Sequence, residues 1–281
     1  MKGVITKIIS NQYQVTNDNT SYNCIARGKV RLQSAPLVGD YVEFEEFSGQ
    51  YGIEKLYPRH NEMKRPKIAN VDQVLIVMSA IDPEFSNTLV DRLSFLINYE
   101  GLSAALIVTK LDLVSFDHFV FEEIKNYRKA GFKVVDAHNL PELLDLFADK
   151  ISVLTGQSGV GKSTCLNRLN NDFNLATQEI SKALNRGKHT TRFTCLYPIG
   201  SGWVADTPGF SALEWKKIDL NIFSQAIQGW QKYIGKCKYR NCLHDKEPGC
   251  IIKSELLQGI IVKSRYENYQ RCLEMIKKEN N

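Results

Sequence analysis

The fold is indicated most directly by Gly156-Gln157-Ser158-Gly159-Val160-Gly161-Lys162-Ser163, which follows a candidate strand at 151–154. Its pattern is G-x-x-x-x-G-K-S, and helical spacing begins at Thr164. Glycines at these positions let backbone N–H groups turn inward around phosphate oxygens, and the following helix N-terminus adds its dipole. Lys162 is expected to reach the β and γ phosphates, and the Ser163 hydroxyl is the expected Mg²⁺ ligand. We therefore predict a nucleotide phosphate-binding loop between a strand and a helix.

Buried strands and helices alternate on the N-terminal side of this loop. Continuous apolar runs at 74–78 and 104–108 are typical of strands covered on both faces. Residues 87–99 carry apolar side chains at helical spacing, and a second helix is expected around 117–129. A strand at 132–135 and a short helix at 141–147 complete the pattern. This alternation predicts an α/β domain with a mostly parallel sheet.

The segment Thr109-Lys110-Leu111-Asp112 directly follows the second buried strand and selects the base. Guanine offers two donors on one edge, N1–H and N2–H₂, and a carboxylate accepts both. Adenine would leave that carboxylate unpaired. Asp112 is therefore the expected guanine reader, with the aliphatic stem of Lys110 on the base plane. A bare K-x-D is common, but at the carboxyl end of a buried strand it favours GTP over ATP.

The remaining nucleotide contacts are expected around a second motif, Asp206-Thr207-Pro208-Gly209, after a short strand at 203–205. Asp206 is expected to hold Mg²⁺ through water, and the Gly209 N–H to contact the γ-phosphate. Thr191 is a further candidate Mg²⁺ ligand, because His189-Thr190-Thr191-Arg192 is similar to the Gly-Thr-Thr-Arg of many translation-linked GTPases. The Ala137 N–H is expected to contact guanine, since Asp136-Ala137 lies where a Ser-Ala loop would be.

A metal site is indicated near the C-terminus. Cys237, Cys242, His244 and Cys250 follow the spacing C-x₄-C-x-H-x₅-C. Three thiolates and an imidazole suit tetrahedral Zn²⁺ in a closed, structural site, with no open position for hydrolytic chemistry. Four cations interleave with these ligands and favour RNA binding by this tail: Lys236, Lys238, Arg240 and Lys246.

The N-terminal segment differs from the rest of the chain. Five short candidate strands with turn punctuation lie within residues 1–57, which suits a small barrel, either an OB-fold or an SH3-like barrel. Residues 58–66, with three basic side chains and two prolines, are typical of a linker.

Composition excludes several classes of protein. The 281 residues are 43% hydrophobic and 24% charged, which argues against a disordered or fibrous chain. No apolar run approaches the ~18 residues of a membrane helix, and Lys7 interrupts any signal-peptide core, so a cytoplasmic protein without membrane association is expected. The net charge of +5 comes entirely from residues 224–281, which contain 11 basic and 6 acidic side chains. A basic terminal module favours a polyanionic partner, although a solvated helical face would also fit.

The order of the motifs along the chain is base motif, P-loop, then the two switch motifs, whereas ordinary GTPases place the base motif last. This order, together with Arg27-Gly28, Val38-Gly39-Asp40 and Asn70-Val71-Asp72-Gln73-Val74, resembles the circularly permuted small-ribosomal-subunit GTPase family (RsgA, also called YloQ or YjeQ). The resemblance covers nearly the whole chain. It implies an OB-fold RNA-binding barrel at 1–62, a circularly permuted GTPase domain at 63–223 and a helical zinc-binding domain at 224–281.

The resemblance also implies a function. It indicates a GTP hydrolase that binds the small ribosomal subunit through rRNA, acts late in subunit maturation and is stimulated by the subunit. The asymmetry of such a partner favours a monomer. Phe210 stands where Ras-like enzymes carry glutamine, so the group that orients water is expected to be either His189, the nearest candidate, or a group of the ribosome. Thr109 replaces the usual Asn of N-K-x-D, which is expected to weaken one base contact, and Gly159 predicts no strong potassium requirement.

Two other classes of function remain open from the sequence. One is a non-enzymatic RNA-binding protein with a vestigial nucleotide site, against which the intact Lys162, Ser163 and Asp206 argue. The other is an ATP-dependent kinase or RNA helper, against which Lys110 and Asp112 argue.

Overall fold

The computed structural model describes residues 1–18, 20–28, 30, 34–64, 66–169, 194–206, 215 and 217–280. Its strands are β1 (Lys2–Ile9), β2 (Gln12–Asn17), β3 (Thr20–Ala26), β4 (Tyr41–Phe47), β5 (Gln50–Leu56), β6 (Glu62–Lys64), β7 (Lys67–Ala69), β8 (Gln73–Ser79), β9 (Ser103–Thr109), β10 (Val134–Asp136), β11 (Ile151–Thr155), β12 (Cys195–Ile199) and β13 (Gly202–Asp206). The α-helices are α1 (Asn87–Tyr99), α2 (Val120–Lys129), α3 (Leu140–Phe147), α4 (Lys162–Leu169), α5 (Leu220–Gln225), α6 (Ile251–Leu257) and α7 (Lys263–Glu279).

These elements fall into two compact units. Unit 1 takes residues 1–73, 144–154 and the described part of 166–212. Unit 2 takes residues 74–143, 155–165 and the described part of 213–281. Each unit draws on separated segments of the chain, and the domain boundaries at 62/63 and 223/224 stay a prediction.

The barrel of unit 1 is built from the five short strands that the sequence predicted. Their order is β1-β2-β3-β5-β4, and pairing of β1 with β4 closes the barrel. Along β4 the alternation of side chains buries Val42 and Phe44 and exposes Glu43 and Glu45, as a strand with one core face requires. Since β3 pairs parallel with β5, the order is a Greek key and not a meander, and the OB-fold expectation is confirmed.

The segment 58–66 is not a linker, so that expectation was wrong. It contains β6, which pairs antiparallel with β7 directly after the segment. The Arg59 guanidinium donates to both carboxylate oxygens of Asp40, at 2.7 and 2.8 Å, and to Glu62 at 2.6 Å. Asp40 is fully buried, and a buried carboxylate requires such a partner. The bond to Asp40 raises the pKa of Arg59 and fixes this segment on the barrel.

A second part of unit 1 carries the strand that precedes the phosphate loop. β11 and β13 run parallel, with Ser152 opposite Val204, and β12 and β13 form an antiparallel hairpin. β12 also pairs antiparallel with β1, through Lys7 and Cys195, so one sheet continues from the hairpin into the barrel.

Unit 2 has the buried parallel strands that the apolar runs predicted. Its strand order is β10-β9-β8, and β10 lies parallel to β9 with Asp136 opposite Val108. Every residue of β8 is buried, which explains its unbroken apolar sequence. Because parallel strands end at the same sheet edge, the segments that follow β9 and β10 are brought together.

The C-terminal helices of unit 2 pack against α1. Ser86 caps α1 by accepting a hydrogen bond from the Leu89 N–H. Phe95 of α1 meets Phe223 and Tyr269, whose rings stack with centroids 5.5 Å apart. Within the described ranges, every helix is too short or too polar to span a bilayer.

Candidate nucleotide and metal sites

The phosphate loop lies in unit 2 and turns between β11 and α4. Gly156 has φ of 146°, and a Cβ there would lie 2.2 Å from the Val77 carbonyl oxygen, so only glycine fits. The Lys162 ammonium folds back over the loop and donates to the carbonyls of Gly156 (2.8 Å) and Gln157 (2.6 Å). Burial lowers the pKa of Lys162, which a phosphate placed beside the ammonium would oppose. This geometry is that of a phosphate-binding loop with its lysine directed inward.

Thr109 connects the base motif to the phosphate loop. Its buried hydroxyl donates to the Val160 carbonyl at 2.6 Å, and the Met78 carbonyl lies 3.4 Å away. Val160 is fully buried, so no water competes for that carbonyl. Thr109 therefore joins the end of β9 to the phosphate loop by a hydrogen bond, a role that sequence reasoning missed.

The base motif lies just beyond the end of β9. Lys110 adopts a left-handed backbone conformation (φ 58°), and its ammonium donates to the Asp82 carbonyl. Leu111 and Asp112 belong to a single 3₁₀ turn, and the Asp112 side chain is 55% exposed. An exposed carboxylate at this edge is accessible to a ligand, as guanine recognition requires.

The loop after β10 departs from the expectation for Ala137. The Ala137 N–H donates to the Val108 carbonyl at 2.9 Å, as the last bond of the strand pairing, and Ala137 is buried. That N–H is therefore engaged within the sheet. The residue that approaches the base motif is His138, whose Nε2 lies 3.4 Å from Asp112 Oδ1. The sequence could have indicated His138 by its position, because it directly follows Asp136-Ala137, the pair predicted to contact guanine.

Several predicted nucleotide contacts lie outside the described residues: His189, Thr191 and Gly209. Of Asp206 only the backbone is described. It ends β13, which runs parallel to β11, and it pairs with Cys195. The roles of these four residues stay predictions.

The four predicted metal ligands come together in unit 2. Their donor atoms all lie within 4.8 Å of one another. The His244 Nδ1 is 3.6 Å from the sulfurs of Cys237 and Cys242 and 3.4 Å from that of Cys250. A tetrahedral zinc ion with ordinary Zn–S and Zn–N bonds separates such atoms by about 3.6 Å. The donor set and its spacing therefore fit Zn²⁺.

The surroundings of this cluster hold the ligands in place. The Tyr266 hydroxyl donates to the His244 carbonyl, and that of Tyr269 to the Leu243 carbonyl, both at 2.7 Å. Glu247 accepts from the N–H groups of Leu243 and Asp245. Burial raises the pKa of the Cys242 thiol to about 12, so ionised thiolates require a cation beside them. The four predicted cations around the cluster, Lys236, Lys238, Arg240 and Lys246, are exposed.

A parallel sheet edge with a G-x-x-x-x-G-K-S loop and a joined K-x-D motif defines a P-loop nucleotide-binding protein of the GTPase class. Family models agree: the RsgA GTPase model matches residues 56–216, and the RsgA N-terminal domain model matches residues 2–53. The chain belongs to the RsgA GTPase family, a family of GTP hydrolases.

Individual relatives and solved structures support this assignment over the full length. A small ribosomal subunit biogenesis GTPase RsgA 2 of Oceanobacillus iheyensis is 44% identical, with 98% of this chain and 97% of the relative covered. The RsgA of Staphylococcus haemolyticus is 41% identical, with 95% and 94% covered. The crystal structure of YloQ, described as a circularly permuted GTPase, has a TM-score of 0.84 and 31% identity over 100% of this chain and 96% of that one. The resemblance inferred from the motif order is confirmed.

Proposed function

We propose that this chain binds the small ribosomal subunit through its rRNA, hydrolyses GTP in response to that contact and acts late in subunit maturation. The observation that most directly supports the nucleotide-binding part of this proposal is the bond between Thr109 and Val160, which joins the predicted base motif to the phosphate loop in one unit. A vestigial nucleotide site would have no reason to retain that junction. The relatives' names supply the partner, since they are small ribosomal subunit biogenesis GTPases.

Nucleotide binding uses three groups of residues in this proposal. Backbone N–H groups of residues 156–164 and the Lys162 ammonium hold the phosphates, and Lys162 exchanges its loop carbonyls for phosphate oxygens. Asp112 accepts the N1–H and N2–H₂ of guanine, with Lys110 beside the base. Ser163, Thr191 and Asp206 would hold Mg²⁺, which would supply positive charge against the negative charge that develops during transfer.

Hydrolysis requires a positioned water, and the usual glutamine is replaced by Phe210. We assign that task to His189, with the Gly209 N–H contacting the γ-phosphate. Slow intrinsic turnover follows, because the group that orients water is brought into place only on the ribosomal partner. Binding to rRNA involves the barrel and the exposed cations around the Cys₃His cluster, which would hold one structural Zn²⁺.

The proposal also includes the location of the protein in the cell and its oligomeric state. A ribosomal partner favours a cytoplasmic setting, where disulfides are rare, and no disulfide joins two cysteines of the described residues. An asymmetric partner favours a monomer.

The test is phosphate release from GTP and from ATP, with and without purified small subunits. The expected result is slow hydrolysis of GTP that rises by orders of magnitude with small subunits, and none of ATP. Lys162→Ala should lower the stimulated rate by about 100-fold or more. Unchanged turnover in this variant would refute the phosphate-loop assignment. GTP hydrolysis indifferent to subunits would refute the partner, and subunit binding without hydrolysis would indicate an RNA-binding protein with a vestigial site.

A further inference from the structure

On the basis of the guanine site proposed above, we propose that His138 is a positioning residue for base recognition. Its imidazole, anchored by Asp136, holds the Asp112 carboxylate in the orientation that accepts the guanine edge. Neither the family models nor the names of the relatives assign a role to this residue.

The imidazole is fixed at the end of β10. Asp136 Oδ1 accepts a hydrogen bond from the His138 backbone N–H at 2.9 Å and lies 3.3 Å from the ring Nδ1. One carboxylate oxygen therefore holds both the turn and the ring. Since Asp136 lies opposite Val108 in the parallel pairing, the residue after the turn is carried to the edge where the base motif begins.

The other ring nitrogen faces the base motif. His138 Nε2 lies 3.4 Å from Asp112 Oδ1, which is within ion-pair distance. Among the described residues, no other ion pair is seen for the Asp112 carboxylate. The His138 side chain is 33% exposed and that of Asp112 is 55% exposed. The contact is therefore at the rim of the site, where it can restrain the carboxylate without excluding a ligand.

The chemistry permits His138 and guanine to bind together. A carboxylate has about four lone-pair sites, so Oδ1 can accept from the imidazole on one side while both oxygens accept from N1–H and N2–H₂. An exposed carboxylate free to rotate loses rotamer freedom when the base binds, and one already held loses less. The imidazole thus contributes to guanine affinity through Asp112 and needs no contact with the base.

The test is titration of the full-length protein with fluorescent N-methylanthraniloyl-GDP, with displacement by unlabelled GDP and ADP. His138→Ala should weaken GDP binding by roughly two- to fivefold, the effect of losing one imidazole–carboxylate contact at an exposed site. His138→Gln keeps an N–H donor at this position and should restore much of the loss. His60→Ala is the matched control, because His60 also forms an exposed imidazole–carboxylate pair, with Nε2 3.6 Å from Asp72 Oδ1, and belongs to unit 1.

A double-mutant cycle separates positioning from a merely structural role. In an Asp112→Ala background, His138→Ala should cause no further loss of GDP affinity, because its only route to the base has been removed. Wild-type affinity in the single variant, or losses that add in the double variant, would overturn the proposal. Failure of the guanine site itself has a different signature: Asp112→Ala would then keep the preference of GDP over ADP.

Discussion

Asp91 and Arg265 form a buried ion pair that joins α1 to α7, and substitution of Arg265 tests how unit 2 is held together. The guanidinium donates to Asp91 Oδ1 at 2.5 Å, and the two side chains are 1% and 4% exposed. Asn268 donates to the other carboxylate oxygen at 2.8 Å and the Tyr127 hydroxyl to Oδ1 at 3.1 Å. The guanidinium also lies over the Phe95 ring. The Arg265 side chain therefore contributes an ion pair, a hydrogen bond and packing against Phe95 to the contact between α1 and α7.

Arg265→Met keeps much of the side-chain volume but leaves the Asp91 carboxylate buried with two neutral donors. Breaking a buried pair in this way costs about 3–5 kcal/mol. For a unit of this size, that corresponds to a fall in Tm of roughly 6–20 °C. Replacing both residues by apolar ones, as in Asp91→Leu with Arg265→Met, should recover most of the loss, since no charge then remains buried.

The loss should also depend on pH. Burial raises the pKa of Asp91, and Arg265 opposes that effect. Without the arginine the folded state holds a proton that the unfolded state releases, so stability falls as pH rises above the unfolded pKa. Arg265→Met should therefore be more destabilising at pH 8 than at pH 5.

The assay is thermal unfolding followed by circular dichroism at both pH values. Lys263→Met is the matched control, because Lys263 lies on the same helix in an exposed pair with Glu267 at 3.8 Å, and the expected change is small. A Tm for Arg265→Met within 2–3 °C of wild type (roughly 1 kcal/mol), or a loss equal at pH 5 and pH 8, would refute the reasoning.

Three further predictions concern the two sites. Thr109→Val leaves the buried Val160 carbonyl without a donor and should weaken GDP binding about tenfold by calorimetry, whereas an unchanged affinity would show that the junction is dispensable. Asp112→Asn should shift nucleotide preference from GTP to XTP, because an amide can accept from N1–H and donate to the 2-oxo group; competition binding measures this, and a retained GTP preference contradicts it. Removal of zinc by a chelator should unfold the Cys₃His module and release one zinc per chain. Cys250→Ala should abolish zinc binding. Cys24→Ala is the control and should retain it, because Cys24 is not one of the four ligands.

Much of this protein could be predicted from its sequence, because the relevant chemistry is contiguous. Each predicted site occupies a short stretch of sequence: the phosphate loop, the base motif and the metal ligands. In each stretch the spacing of the residues follows from the geometry of a single turn or of a single metal ion. The strands β8 and β9 are recognisable since burial on both faces demands an unbroken apolar run. Even the permutation is visible, as it is only the order of motifs along the chain.

The segment 58–66 shows where local reasoning fails. Its prolines and cations are typical of a linker, yet Arg59 is bound to a buried carboxylate 19 residues away. Composition does not reveal such a partner, because Asp40 is buried only once the barrel has closed.

The contacts that join distant segments were decided by the tertiary structure alone. Thr109 meets Val160 across 51 residues, and Asp91 meets Arg265 across 174. His138 reaches Asp112 because β10 lies parallel to β9, and parallel strands deliver the residues beyond their carboxyl ends to one edge. The sequence determined which chemical groups are present, and the pairing of the strands determined which of them meet, since side-chain proximity depends on register and not on spacing along the chain.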